Sequence, residues 1–579
     1  MLDALIVNGN VVDGTGAPAQ HAHLAIAGGR VVGFAERDEP ARRVIDAGGL
    51  AVVPGFIDLH SHYDAQVFWD ATLTPSCRHG VTTVIAGNCG LTLAPVAPHD
   101  RDYLTRLLAR VEAIPVEALV AGLEYRWNSY PEFLDVLEAS ALGPNIGFMV
   151  GHSAVRRAVM GTAASERAAT PDELAAMCDL LSEAIAAGGM GFSTANVETQ
   201  VDGDGRPTPP NFATPEEFIA LAAVCGRHPG TSIEFIPGSF LKGFSDEDIE
   251  LMADMSAVAN RPLNWNTPLI NKAAPELFRR QLWATDVARQ RGGRIVPLYM
   301  AQNGPTQQDF LRGYVYRALP DWGWLFDLGV TERIQALADP ASRERLRAAL
   351  DAVPTGLAFT IRSTWGQNYV NEIKGADLQH LEGRRISEIA AERGVSDFDA
   401  VLDIAVAARL EVGFVRYSAG EGDEWTKAAR LEVLKDPRVV LGASDAGAHV
   451  DMMVGADFPT RCLGELVRDR GVFSLEEMVH QFTDVPAQLY GLRDRGRLTP
   501  GSFADIVILD PDLVGAGPLR TVPDLPAGAS RLLTEPLGIH RVLVAGEELV
   551  SEGEVTAARP GRLLRSGRDT DTVPAHAEP

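Results

Sequence analysis

Eight short apolar segments, strung through the middle of the chain and separated by helix-forming stretches, constrain the fold more than any other feature. They are VVPGFIDLH (52–60), GVTTVIAGN (80–88), IGFMVGHS (146–153), GMGFST (189–194), TSIEFIP (231–237), PLNWNT (262–267), RIVPLYM (294–300) and RVVLGASD (438–445). Strands that are apolar on both faces need cover on both faces, and alternating helices supply it, so the pattern calls for a buried parallel sheet. Eight such repeats in succession call for an α/β fold of the (β/α)8 TIM-barrel type. An open doubly wound sheet is the competing arrangement, but no G-x-G-x-x-G turn follows any of these strands.

The helices between them are marked by capping boxes. Thr170-Pro171-Asp172-Glu173, Thr214-Pro215-Glu216-Glu217 and Ser474-Leu475-Glu476-Glu477 each offer a hydroxyl to an orphan N–H and a glutamate that reaches back. Ser245–Asp248 and Ser396–Asp399 are versions with a shorter carboxylate. Both ends of the chain read differently: residues 4–16, 23–35 and 42–55, and later 503–510 and 540–553, are short strands punctuated by Gly, Asn and Asp. The expectation is a small discontinuous β-sandwich domain, residues 1–54 plus 495–565, with the barrel, 55–494, inserted into it. The stretch 303–393 is too long for an ordinary strand-helix connection. Tyr314, Tyr316, Trp322, Trp324 and Trp365 within it argue against disorder, so a folded insertion or lid after the seventh strand is expected.

Composition matters for partners and compartment. Lys and Arg number 52 against 77 Asp and Glu, a formal net charge of −25. Such a chain repels a phosphate polyanion on average, which excludes nucleic acid as the expected partner. No run of 18 or more apolar residues occurs, so no membrane partner is expected. The five cysteines are scattered and form no CxxC pair, which suits a reducing compartment, and the expected location is the cytoplasm. A small-molecule substrate is expected, and homo-oligomerisation is left open.

In a (β/α)8 barrel, catalytic groups come from the carboxyl ends of several strands. The first segment ends in His60-Ser61-His62, the second in Gly87-Asn88-Cys89-Gly90, the third in Gly151-His152-Ser153, and the last in Ser444-Asp445. Two residues apart on an extended strand, His60 and His62 point to one side and can grip one cation. Imidazole, thiolate and carboxylate make a normal zinc set.

The runs PGFIDLHSHYD (54–64), HGVTTVIAGNCG (79–90), GHSAVRRAVMG (151–161), GFST (191–194) and SDAG (444–447) resemble the amidohydrolase superfamily, and within it the N-acyl-D-amino-acid deacylases (the D-aminoacylase branch). The resemblance extends to the opening strands and to PGRLLR (560–565). It implies a metal-dependent hydrolase in which His60 and His62 match the strand-one histidines and Cys89 the metal-binding cysteine. Asp445 matches the strand-eight aspartate that touches the metal and acts as general base. Where the family has histidines on strands five and six, this chain has Glu234 and Asn266 or Thr267, and Pro268 or Leu269 replaces its basic residue after strand six. One zinc ion, rather than two, held by His60, His62, Cys89 and Asp445, is the expectation.

Asn264, Asn266 and His152 are candidate donors to a tetrahedral oxyanion. Ser153 stands next to His152, Glu234 is a candidate for a second metal position, and His449 could approach from the last loop. Arg362 and Arg416 could bind an anionic group. The expected activity is hydrolysis of an amide-type C–N bond. Cyclic amide, lactam or ester hydrolysis, a metal-assisted lyase, and a barrel that only binds a small molecule remain the alternatives.

Overall fold

A computed structural model describes residues 1–576 apart from 303, 318, 353–363 and 418–422, with the backbone alone of Tyr314. Arg362 and the side chain of Tyr314 lie outside the described residues.

The first seven apolar segments form parallel strands in the expected order, and the eighth, 438–445, joins them as a single bridge between Val440 and Leu298. Phe56–Asp58 pairs with Val81–Ala86, and that strand with Asn145–Phe148. After Met149 the third segment continues as Val150–Gly151, which pairs with Gly191–Ala195. From there Ser232–Ile236, Pro262–Asn266 and Arg294–Leu298 follow, each parallel to the one before. Nearly every side chain in these strands is buried on both faces, as sheets covered by helices on each side require. The eighth segment is joined by hydrogen bonds on either side: the Val440 amide donates to Pro297 O (3.0 Å) and the Tyr299 amide to Val440 O (2.9 Å), while the Leu59 amide donates to Gly442 O (2.7 Å).

Of the five helix starts marked in the sequence, four follow the local chemistry. Thr170 and Ser474 cap Pro171–Ala186 and Leu475–Phe482 through complete reciprocal boxes. Ser245 and Ser396 accept from the amides of Asp248 and Asp399. Thr214 makes no such cap for Pro215–Gly226. Its partner Glu217 is buried instead and takes both oxygens to the Arg156 guanidinium, with His152 Nε2 2.8 Å from Oε1. A buried, unpaired arginine costs several kcal/mol, whereas a cap contributes about 1 kcal/mol, so the tertiary ion pair wins the glutamate.

The two ends of the chain meet in one nine-stranded sheet. Ile506–Leu509 lies between Ala51–Pro54 and Ile539–Val544, antiparallel to both. The sheet forks along Leu2–Val11: Leu2–Val7 pairs with Ala41–Asp46, whereas Asn10 and Val11 pair with Ala51 and Val52. Its own core includes Ile6, Leu24, Ile26, Val52, Ile506, Ile508 and Leu543.

After the seventh strand the chain builds a separate apolar cluster, in which Phe310, Tyr316, Trp322, Trp365 and Phe398 pack together and Trp324 packs against them. Thr306–Gln308, Gly413–Arg416 and Tyr369–Asn371 form its three-stranded antiparallel sheet. The cluster and sheet run on past residue 393 to Phe414 and Arg416, because helix Asp397–Ala407 and the central strand turn their apolar sides to the same core. Among the described residues, no helix is long and apolar enough to cross a membrane.

Candidate metal centre

His60 and His62 extend the first strand beyond Asp58, held by neighbours on both sides. The Ser61 amide donates to Ile85 O (3.2 Å), and the His62 amide to Ala446 O (2.7 Å). Asp58 accepts from the His60 amide and from Ser444 Oγ, which ties the first segment to the last. Both imidazoles are fully buried and meet edge to face, with centroids 5.3 Å apart.

Cys89 reaches them from a tight turn at the end of the second strand. Gly87 sits at φ +78°, and a Cβ there would lie 2.6 Å from Met149 O, so the turn admits only glycine. Asn88 Nδ2 donates to the carbonyls of Ser61 and Ile85, and Ser193 Oγ donates to Gly87 O while accepting from the Gly90 amide. Cys89 itself has φ 54°, Asp445 61° and His449 50°. A non-glycine residue in this region carries about 1–3 kcal/mol of strain, which persists where the surroundings over-determine it.

Metal-donor atoms of His60, His62 and Cys89 all lie within 4.8 Å of one another. Cys89 Sγ is 3.5 Å from His60 Nε2 and 4.0 Å from His62 Nε2. Asp445 Oδ1 is 3.1 Å from His62 Nε2 and 3.6 Å from His60 Nε2. Tetrahedral zinc with bonds of about 2.0–2.3 Å spaces its ligand atoms by about 3.3–3.6 Å. His60, His62 and Cys89 therefore fit a zinc ion, with the Asp445 carboxylate beside both imidazoles.

The charge balance points the same way. Burial, followed by the charges of Glu234, Glu112, Asp445 and Asp64, pushes the Cys89 thiol far up. Burial raises Glu234 to about 8, and Asp58 and Asp64 to about 7. Burial opposes protonation of His62, but Glu112 and Asp445 overcome it and lift the ring to about 10. Burial and the neighbouring His62 charge drive His60 down to about 3. Against burial, His62, His449 and His60 hold the Asp445 carboxyl well below the carboxylate range. So many acids around two imidazoles make a site short of positive charge, and a cation inverts that balance by stabilising thiolate and carboxylates together.

The other candidates divide. Glu234 Oε2 accepts from the Cys89 amide (3.0 Å), and Oε1 is buried without a hydrogen-bond partner. His449 Nε2 lies 3.9 Å from Asp445 Oδ2. Asn266 is buried with Oδ1 unpartnered, and so is Ser153 Oγ. His152 is not available as an oxyanion donor: Nδ1 faces Thr194 Oγ1 at 2.9 Å and Nε2 faces Glu217. Asn264 is also spent, because its amide donates to Ile233 O and Tyr490 Oη. Thr267 Oγ1 accepts from the Met300 amide, and Arg416 donates to Thr364 Oγ1 in the inserted sheet. Sequence reading missed Glu112, at the end of helix Arg101–Val111, whose Oε1 lies 3.6 Å from His62 Nδ1. It also missed Asp64, which accepts from the Gly87 amide and whose alternation with His60 and His62 was a readable signal.

A parallel α/β fold that gathers two histidines, a thiol and a carboxylate beyond the carboxyl ends of its strands belongs to the class of metal-dependent hydrolases. The chain belongs to the amidohydrolase family, whose sequence model matches residues 43–550. It is 30% identical over 572 residues to D-aminoacylase of Alcaligenes xylosoxydans xylosoxydans, covering 97% of each chain. To N-acyl-D-aspartate deacylase of the same organism it is 29% identical, covering 99% of this chain and 96% of that one. A solved D-aminoacylase with a binuclear metal centre, described by one-metal activation and second-metal attenuation, superposes with a TM-score of 0.63 at 25% identity, covering 98% of this chain and 100% of that one. Within the family the chain falls in the D-aminoacylase branch, and it is a metal-dependent hydrolase acting on C–N bonds other than peptide bonds.

Proposed function

We propose that the chain deacylates a small N-acylated amino acid, with one zinc ion held by His60, His62, Cys89 and Asp445 and with Asp445 as general base. The observation that carries this reading is the closeness of these donors: those of His60, His62 and Cys89 lie within 4.8 Å of one another, and Asp445 Oδ1 lies 3.6 and 3.1 Å from the Nε2 atoms of His60 and His62. Zinc in that set supplies the electrophile that amide hydrolysis needs near neutral pH. Asp445, whose carboxyl stands well below the ordinary carboxylate range, is ionised and ready to take the proton of the attacking water and deliver it to the leaving nitrogen. Asn266, buried at the end of its strand, is the remaining candidate to face a developing oxyanion.

The same reading takes the strands as closing into a (β/α)8 barrel, supported by hydrogen bonds on both sides of the segment around Val440 and Gly442. It takes residues 1–54 with 495–565 as a second domain, supported by the shared sheet. The cluster from Phe310 to Phe414 acts as a lid, and the protein works in the cytoplasm. A second ion is favoured by one observation, the unpartnered Glu234 Oε1 beside Cys89.

Metal content of the purified protein, read by mass spectrometry for the wild type, Glu234→Gln and Asp445→Asn, separates these readings. One ion in the wild type and in Glu234→Gln supports the single site; loss of one of two supports the pair. Turnover of N-acetyl-D-amino acids should fall by about 10²- to 10⁴-fold in Asp445→Asn, the range of general-base catalysis. Equal turnover removes Asp445 as base, and a metal-loaded wild type that cleaves no amide sinks the proposed reaction.

A further inference from the structure

A neutral imidazole carries one N–H, so His62 can bind an ion through Nε2 only with its proton on Nδ1. That nitrogen is buried and has no hydrogen-bond partner among the described residues. The carboxylate facing it is Glu112, with Oε1 3.6 Å away. Glu112 is 3% exposed and sits at the C-terminal end of helix Arg101–Val111, in the connection between the second and third strands. Its backbone carbonyl accepts from the His449 amide at 2.6 Å, so the same residue is fastened to the loop that follows Asp445.

We infer that Glu112 is a positioning residue: it accepts the Nδ1–H of His62, fixes the tautomer that aims the Nε2 lone pair at the ion, and supplies a buried negative charge behind the site. A carboxylate behind a ligating histidine raises the basicity of the ring and restrains its rotation. Neither the spacing nor the type of the first-strand residues specifies this partner, because it arrives from a helix end 50 residues on.

The inference rests on the metal reading above, and its test separates the two. Zinc affinity by chelator competition and the visible absorption of the Co2+-loaded protein are compared for the full-length wild type, Glu112→Gln, Glu112→Ala and His60→Ala/His62→Ala. Glu112→Ala should bind zinc about 10- to 100-fold more weakly and shift the Co2+ bands. Glu112→Gln, which keeps an acceptor and loses the charge, should fall between. If the alanine variant does not fold, the nearly isosteric glutamine carries the comparison. Wild-type affinity and an unchanged spectrum in the Glu112 variants, with binding abolished in the double histidine variant, overturn the inference and leave the metal site standing. A wild type that binds no stoichiometric metal overturns both.

Discussion

The turn that presents Cys89 shows how much of the site a single residue decides. Gly87→Ala would place a methyl 2.6 Å from Met149 O at φ +78°. Strain in the left-handed region and the backbone clash add, and the expected cost is about 2 kcal/mol or more. Because Asn88 and Ser193 tie this turn to the first and fourth strands, zinc affinity should fall with it. Gly48, at φ +59° with no atom within 4 Å of its added methyl, is the control: alanine there should cost about 1 kcal/mol and leave zinc binding intact. Denaturant melts and chelator competition on both variants check this, and equal effects would remove the turn from the argument. Residue by residue, the site was legible where chemistry and spacing coincide, as in His60, His62 and Cys89. It was illegible where a partner comes from elsewhere in the chain. No local pattern marks Glu112, and Glu217 in place beside His152 is what withdraws that histidine from the list of candidate donors.

At the scale of the element, the helix Pro215–Gly226 shows a local signal overridden by a tertiary one. The sequence reads a capping box at Thr214 with the same grammar as at Thr170, yet only Thr170 has the reciprocal bonds. Thr170→Ala should therefore cost about 1 kcal/mol, and Thr214→Ala only a few tenths. Glu217→Ala leaves the fully buried Arg156 unpaired and should cost about 3–5 kcal/mol. The acid limb of stability follows from the same cluster. Burial opposes ionisation of Glu217, but His152 and Arg156 hold its carboxyl below the ordinary value. Its stabilisation is thus present above an unfolded pKa of about 4.3 and is lost as pH falls through the lower folded value. Burial also depresses His152, despite Glu217; unfolding then takes up a proton below about pH 6.5, in the same direction. Replacing Glu217 with Gln should lower stability at neutral pH and flatten the fall in acid. Melting temperatures from about pH 2 to 6, which span the window below about 4.3, read this, and a parallel loss at every pH would contradict it.

On the scale of the whole molecule, the eight apolar segments were enough to order the parallel strands, because strands buried on both faces leave a run that periodicity cannot disguise. The extent of the insertion was harder to read. Its last helix and central strand carry ordinary amphipathic patterns, and only the shared core of Trp322, Trp365, Phe398 and Phe414 shows where it ends. The metal centre joins what the sequence keeps far apart: His62 and Asp445 are 383 residues distant and 3.1 Å apart. An ion bridging them as proposed would close a long loop and relieve the crowding of buried carboxylates, so it would bind the folded chain in preference to the unfolded one. At a free zinc concentration a hundredfold above Kd, the linkage contributes about 2.7 kcal/mol. Chelation should accordingly lower the melting temperature of the wild type by a few degrees, and zinc should restore it. The His60→Ala/His62→Ala variant should melt at one temperature with or without chelator. A wild type indifferent to chelator, or a double variant that responds as strongly, would mean that the ion is not what holds these three segments together.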